Sequence, residues 1–386
     1  MRKENKGITL IALVITIIVL LILAGVSIAT LAGEHGILTQ ANNAKQRTED
    51  AAKKEQEDLN DLNEYLRNIV GDSESSGGNL PSTGDTEPYL PEGSTVIEGN
   101  LSKGVVIRDK NDNEWVWVEV PKSIFITATS NMSYTNIEND MIAYASNYRK
   151  SNYMDSYYEG NGTSSEAEYN NLKNKMLSSV YTNGGFWISR YEIGTDTVRT
   201  SASDSSAIPV SRQDMYVYNW VTVSQAQELA SNMKPTNNQT ASILFGIQWD
   251  LTLKYIEEKG DKTQSELGGD NESWGNYSNS TFQITRGKYS NDNGTTYTQV
   301  SETYTKPNNS SILLTTGVTD RNKVLNIYDL TGNVWEWTIE KGFVDHPSTR
   351  RGGAYTDGSN NSSAVYRTCD IMSRSFYHYG FRVTLL

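Results

Sequence analysis

The chain has 386 residues, a formal net charge of −12 at pH 7 and one cysteine. The single cysteine excludes an intrachain disulfide, and the three histidines are too widely spaced to suggest a metal site built from all of them. The acidic balance, without a long basic run or an RNA-reading motif, argues against nucleic acid as a partner.

An apolar segment near the N-terminus predicts a membrane-spanning helix. Residues 7–32 read GITLIALVITIIVLLILAGVSIATLA, without a charged residue. As a helix, Ile8 to Ala32 would be about 37 Å long, which exceeds the ~30 Å hydrocarbon core of a bilayer. The short basic leader before it, residues 1–7, places the N-terminus on the cytoplasmic side. We therefore expect a single-pass anchor, with the rest of the chain outside the cytoplasm.

The leader resembles the class III leader of type IV prepilins and pseudopilins. It ends at Gly7, and Ile8 then opens the apolar run. In that family a membrane peptidase cuts after the glycine, which implies processing between Gly7 and Ile8. The resemblance also implies contacts with other pilin-like subunits through the apolar helix. The family usually has glutamate at the fifth mature position, where this chain has Ala12, so a minor pilin, a pseudopilin and a plain membrane anchor all stay open.

Two further segments separate the apolar run from the rest of the chain. Between residues 40 and 70, mostly apolar side chains recur every three or four positions, which predicts a narrow packing stripe on a helix. Residues 8–70 are therefore predicted to form the transmembrane helix and a helical stem. Residues 71–94 are rich in Gly, Ser, Pro and acidic residues, which predicts a flexible linker.

Residues 95–386 are numerous enough for one large domain, the head. Apolar and aromatic runs at 114–120 and 185–193 predict strands, whereas 223–233 and 244–258 predict helices. The two strand-like runs are separated by a polar loop in which residues 130–175 are rich in Asn, Ser and Tyr. Residues 259–311 have few apolar anchors and predict long surface loops. The 23 tyrosines and 8 tryptophans favour either an exposed binding surface or a loop-rich core held by rings.

The C-terminal part carries the most specific motifs. Residues 328–337 read YDLTGNVWEW, RGG follows at 351–353, and GFRV occupies 380–383. Together with FWISRYEIG at 186–194, these motifs resemble the formylglycine-generating-enzyme (sulfatase-modifying factor) superfamily over roughly residues 95–386. The resemblance implies an α+β fold of the C-type-lectin-like kind with much irregular structure, carried by the N-terminal transmembrane and stem helix.

The metal ligands of the family's enzymes are missing. The oxidase branch uses two cysteines five residues apart; here Cys369 matches the second position, and Ala364 occupies the first. One thiolate cannot supply a two-thiolate copper(I) site. Another branch holds iron with histidines, and the head has only His346 and His378. We therefore expect neither copper nor iron, and no enzymatic activity.

The same resemblance implies a structural calcium ion. Its ligands would be the side chains of Asp329 and Glu336 and the carbonyls of Gly332 and Val334. Carboxylate and carbonyl oxygens are the ligands that calcium prefers. The alternative is that Asp329 caps a turn and Glu336 pairs with an arginine.

The segment between RGG and GFR, residues 354–379, is the candidate ligand-binding segment. In this position the chain resembles variable proteins of diversity-generating retroelements, in which mutated side chains stand on a rigid backbone and contact the ligand. The alternative is that the segment is simply the loop-rich end of the fold. The candidate contact residues are Ala354, Tyr355, Thr356, Asp357, Tyr366, Thr368, Asp370, Ile371, Ser373, Ser375, Phe376, Tyr377, His378 and Tyr379.

These features together predict a surface protein that is membrane-anchored or incorporated into a pilus and displays a ligand-binding head. The ligand would be a protein, a glycan, another cell or a phage. One alternative is a minor pilin or pseudopilin with a structural role in assembly or secretion, and another is an oxidase. Assembly would not need the aromatic cluster at Phe376–Tyr379, and an oxidase would need a second cysteine.

Overall fold

The structure, a computed structural model, describes residues 80–204 and 206–386, together with the helical pieces 15, 17–20 and 45–46. The chain divides into two compact units, 1–67 and 68–386, and the fold described below is that of the second. Among the described residues, no helix is both long and apolar enough to cross a bilayer. The predicted leader with Gly7 and Ile8, and nearly all of the predicted anchor and stem, lie outside the described residues.

Part of the predicted linker belongs to the head. Thr86 is buried and its hydroxyl accepts a hydrogen bond from the Trp117 indole at 2.8 Å. The carbonyl of Tyr89 accepts one from the Trp187 indole at 2.9 Å. Buried indoles need acceptors, and this polar segment supplies them. The packing of the head therefore reaches at least to residue 86, ahead of the boundary predicted between residues 94 and 95.

The head is a mixed α+β domain built from short elements. Its strands are β1 (Thr95–Glu98), β2 (Val106–Arg108), β3 (Glu114–Glu119), β4 (Gly185–Ser189), β5 (Gly194–Thr195), β6 (Tyr216–Val217), β7 (Ala241–Ile243), β8 (Phe282–Ile284), β9 (Lys288–Ser290), β10 (Thr298–Gln299), β11 (Tyr304–Lys306), β12 (Leu313–Leu314), β13 (Lys323–Val324), β14 (Ile327–Tyr328), β15 (Trp335–Lys341), β16 (Ser348–Arg351), β17 (Arg367–Asp370), β18 (Tyr379–Phe381) and β19 (Val383–Leu385). Its α-helices within residues 80–386 are α1 (Ile126–Ser130), α2 (Tyr134–Tyr144), α3 (Glu166–Asn183), α4 (Val223–Asn232), α5 (Gly246–Lys259) and α6 (Gln264–Gly268).

Two sheets organise the head. The larger has six strands in the order β1-β2-β3-β4-β19-β7, and the other has four in the order β17-β16-β15-β18. Neighbouring strands in both run antiparallel, except for the parallel pair β15 and β18. Because β18 and β19 follow each other in sequence, the GFR motif carries the chain from the smaller sheet into the larger one.

The predicted strands and helices are confirmed as β3, β4, α4 and α5, but the loop prediction between them is wrong in part. Residues 126–183 contain three helices, of which α3 has 18 residues. Tyr169, Leu172, Met176 and Val180 form a buried stripe on α3. The sparse apolar residues lie at helical spacing, and tertiary packing of this stripe outweighs the polar composition.

Candidate functional site

The four-stranded sheet has two unlike faces. The strand register places Arg350 between Trp337 and Thr368, and Trp335 opposite Tyr379. Successive residues of a strand point to opposite sides, so these side chains share one face. We call it the aromatic face, and it consists of Trp335, Trp337, Arg350, Thr368, Asp370 and Tyr379.

A buried ion network fixes the opposite face. Arg367 contacts Asp250 on α5 at 2.5 Å and Glu340 at 3.1 Å, and Arg351 contacts Asp250 at 3.0 Å. These four side chains are fully buried, and Arg149 adds further contacts to Asp250 and Glu340. Removing one partner of such a network leaves an uncompensated buried charge, which typically costs about 3–5 kcal/mol. The arginine of RGG is therefore part of the scaffold behind the aromatic face.

The network also fixes the start of α5. Asp155 accepts hydrogen bonds from the backbone N–H groups of Gly246 at 2.7 Å and Ile247 at 3.0 Å. Burial alone would raise the pKa of Asp155, but Arg149, Lys173 and these backbone donors outweigh it and hold the pKa below its usual value. An anionic cap at this helix end complements the helix dipole.

The glycines of RGG permit a turn that other residues would strain. Gly352 and Gly353 have φ angles of 86° and 80°. A Cβ atom on Gly353 would lie 2.4 Å from the carbonyl oxygen of Ser362. Both glycines are therefore needed for the turn that follows β16.

The two carboxylates predicted to bind calcium have protein partners. Glu336 forms a bidentate pair with Arg382, at 2.8 and 3.0 Å. Asp329 accepts hydrogen bonds from the Gly317 N–H at 2.7 Å and from the Asn322 amide at 3.2 Å. This arrangement agrees with the alternative that Asp329 caps a turn and Glu336 pairs with an arginine. A calcium ion would fit here only if Glu336 shared an oxygen between the ion and Arg382.

The two predicted carbonyl ligands belong to the turn between these carboxylates. Gly332 has a φ of 76° and, like Val334, is buried. No three His, Cys, Asp or Glu side chains among the residues that the structure describes are placed to hold a metal ion together. Calcium at this turn therefore stays a prediction.

A third buried carboxyl group lies near this turn. The side-chain amide of Asn333 donates to one oxygen of Glu192, and the other oxygen finds no partner within the described part of the chain. Burial raises the pKa of Glu192 well above its usual value, and the charges of Asp329 and Glu336 raise it further. Glu192 belongs to the FWISRYEIG run, where its place in a strand-like apolar segment could have indicated its burial.

Four of the predicted ligand-contact residues are buried. Tyr355 packs against Val217, Leu313 and Val334 in one apolar cluster. Its neighbour Ala354 is also fully buried. Asp370 and Tyr379 are buried as well, so these four side chains expose little surface to a ligand.

The other ten candidates are at least partly accessible. Tyr366, Ile371 and Ser373 are exposed. Their half-buried companions are Thr356, Asp357, Thr368, Ser375, Phe376, Tyr377 and His378. Among these residues, the rings of Phe376 and His378 stack with their centroids 5.4 Å apart. The ring centroid of Tyr366 lies 6.0 Å from that of Trp335. Tyr377 also packs against the Tyr355 cluster, so it contributes to the core as well as to the surface.

Trp220 joins this surface although it is distant in sequence. Its backbone N–H donates to the carbonyl of Phe376 at 3.0 Å, and the centroids of the Trp220 and Tyr377 rings are 5.9 Å apart. Its φ of 54° is a left-handed conformation, which is strained for a residue with a side chain. No local sequence pattern indicates this contact, because tertiary packing alone creates it.

The two positions that match the oxidase cysteines differ in environment. Ala364 is fully buried, and its N–H donates to the Asn271 side chain at 2.6 Å. Cys369 is half-buried, with its sulfur 3.9 Å from the Thr349 hydroxyl. It is the one cysteine of the chain.

Three solved structures show a distant similarity to this chain. The crystal structure of CarF shows 14% identity and a TM-score of 0.28, covering 52% of this chain and 85% of its own. Treponema denticola variable protein 1 shows 14% identity and a TM-score of 0.28, covering 52% of this chain and 84% of its own. PvdO from Pseudomonas aeruginosa shows 16% identity and a TM-score of 0.28, covering 53% of this chain and 81% of its own.

The chain has no significant match among curated proteins. The sulfatase-modifying factor enzyme 1-like domain matches residues 182–385, which include the whole four-stranded sheet, strand β4 and the FWISRYEIG, YDLTGNVWEW, RGG and GFRV motifs. This match spans just over half of the 386 residues. The chain therefore belongs to the family defined by the sulfatase-modifying factor enzyme 1-like domain.

Proposed function

We propose that the head binds a ligand through the accessible rings beside the aromatic face. The observation that carries this proposal is a set of accessible rings around a sheet whose back is fixed by buried ion pairs. Phe376 stacks on His378, Trp220 contacts Tyr377, and Tyr366 packs against Trp335. Half-exposed aromatic side chains bring large contact area with few rotatable bonds. A rigid support lowers the entropic cost of binding.

The N-terminal segment would display the head on the outside of the cell. This part of the proposal rests on the sequence of residues 7–32, and on the prepilin-like leader for contacts with other pilin-like subunits. Diversification of residues 354–379 by a retroelement would be compatible with the fold at exposed positions such as Ile371 and Ser373. It would be costly at Tyr355, which fills the core.

An oxidase is disfavoured by Ala364, because the copper-binding branch of the family needs a thiolate there. The purely structural pilin remains the second candidate function. It would leave the strained Trp220 and the accessible rings without a role.

The test replaces the exposed Tyr366 and the half-buried Phe376, neither of which belongs to the buried core. Cells that produce the chain are compared with cells that produce the Tyr366→Ala/Phe376→Ala variant, for binding to a panel of immobilised proteins, glycans and whole bacteria. We expect at least one surface that the wild type binds and the variant loses, because a few central aromatic residues usually carry most of an interface's energy.

The control variant Ile126→Ala/Ile208→Ala removes two apolar side chains that are exposed elsewhere on the head. It should bind normally, and both variants should melt at the wild-type temperature. A Tyr366/Phe376 variant that binds as well as the wild type contradicts the proposal, as does a wild type that binds nothing and oxidises thiols with copper.

A further inference from the structure

Arg350 of the aromatic face and Arg374 share one aspartate, Asp370. Asp370 accepts from Arg350 at 2.7 Å on one oxygen and from Arg374 at 3.2 Å on the other. The Tyr379 hydroxyl and the Ile371 N–H also donate to this carboxylate, each at 2.9 Å, so each of its oxygens accepts two hydrogen bonds. The positive charges of two arginines are therefore balanced by one carboxylate that is already fully hydrogen-bonded.

Asp357 is the other acid close to Arg350, and it is engaged elsewhere. Its carboxylate accepts from the Ala354 N–H at 3.1 Å and from the side chain of Trp335. The negative charge of Asp357 partly offsets the positive charge of Arg350, but Asp357 accepts no hydrogen bond from Arg350 among the described contacts.

The Arg350 guanidinium is poorly solvated. It lies 4.1 Å from the ring centroid of Tyr379 and 5.3 Å from that of Trp335. Its Nε is buried without a partner among the described residues. Burial lowers the pKa of Arg350 to about 10. A cation that has lost its hydration gains more from an added oxyanion than a fully hydrated one does.

Arg374 and the neighbouring rings form the accessible side of this group. Arg374 has 43% of its side chain exposed and lies 5.4 Å from the ring centroid of Phe376. His378 stacks on Phe376 with an interplanar angle of 5°, so it covers a face of that ring. A saccharide binds best against an open ring face, whereas an apolar side chain can pack against ring edges. These contacts favour a peptide-like ligand over a sugar.

We propose that this site binds a peptide-type ligand that presents a carboxylate to Arg374 and to the exposed part of Arg350, with an aromatic or aliphatic group next to it against Phe376. This inference rests on the proposed function and names the chemical class that the same surface recognises. The bidentate geometry of a guanidinium suits a carboxylate.

His378 provides a specific readout of occupancy. Burial and then the charge of Arg350 lower the pKa of His378 to about 4, and Asp370 opposes them. The other groups against its ring are Phe376, Tyr377 and Tyr379. A carboxylate bound at Arg350 would offset the arginine's charge and raise the pKa of His378. His346 serves as a reference in the same spectrum.

The experiment titrates the full chain in detergent micelles with benzoate, benzamide and glucuronate, and follows histidine ring resonances by NMR. Benzoate should shift His378 saturably, raise its pKa and leave His346 unchanged. Arg374→Gln should weaken benzoate binding about tenfold, as expected for a lost hydrogen bond to a charged group. The matched control is Arg286→Gln, because Arg286 is also 43% exposed and pairs with Asp320 at 2.8 Å, and it should bind benzoate normally.

Three outcomes would overturn the inference. Benzamide that binds as tightly as benzoate would show that the carboxylate is not recognised. Tighter binding of glucuronate would assign the site to acidic saccharides. Absence of a saturable shift at His378, in a protein whose Tyr366/Phe376 variant still loses its surface partner, would reject the carboxylate site while the proposed function stands.

Discussion

Glu192 is a buried carboxyl group whose environment favours the protonated form. Because its folded-state pKa is raised above the usual value of 4.5, its contribution to stability is complete below that pH. The contribution is lost as the pH rises towards the folded-state pKa, since ionisation then leaves a buried charge next to Asp329 and Glu336.

The variant Glu192→Gln should therefore flatten the dependence of the unfolding free energy on pH above 4.5. Glutamine keeps the shape of the protonated acid and cannot ionise. Urea unfolding at a series of pH values measures this, with Glu228→Gln on the exposed side of α4 as the control. A variant that keeps the wild-type pH profile would show that Glu192 is ionised in the folded head.

The predicted calcium site at the turn between Asp329 and Glu336 can be tested separately. If Asp329 and Glu336 bind the ion, a calcium chelator should lower the melting temperature, because a ligand that binds only the folded state stabilises it. Asp329→Asn should abolish this sensitivity, whereas Asp112→Asn on the surface should retain it. A melting temperature that is the same with and without chelator would show that Glu336 pairs with Arg382 and does not bind calcium.

At the scale of elements, sequence reasoning worked where apolar residues are dense and adjacent. The runs that became β3 and β4 are almost wholly buried, as is the first half of α5, and burial of such runs needs little outside information. It failed for α3, whose apolar stripe is diluted by polar residues. It could not find the site residues Trp220 and Arg350, since each acts through partners brought near by the fold.

The segment before β1 gives a prediction of the same scale. Thr86→Val removes the acceptor of the Trp117 indole and should cost about 1–3 kcal/mol, the usual cost of leaving a buried donor unpaired. Chemical denaturation followed by tryptophan fluorescence measures the loss. Ser82→Ala, at an exposed position in the same segment, should change little. Equal stability of both variants would support the prediction that residues 80–94 are part of a flexible linker.

At the scale of the whole molecule, the proposal of a displayed head depends on how the N-terminus is processed. If the leader is prepilin-like, mass spectrometry should find a mature chain that begins at Ile8. Gly7→Ala should leave the precursor uncut, because the family's peptidase requires glycine before the cut. Gly25→Ala, within the apolar run, should be processed normally. Retention of Met1 in the wild type would favour the plain anchor.

The passage of the GFR motif from one sheet to the other has a consequence for biogenesis. Strand β19 lies between β4 and β7, so the six-stranded sheet stays split until residues 383–385 are available. β18 completes the smaller sheet only a few residues earlier. A nascent chain that has emerged as far as residue 370 therefore holds two incomplete sheets and cannot reach its stable fold. For a protein that we propose crosses a membrane, this late closure would keep the head unfolded, and so competent for export, throughout most of its synthesis.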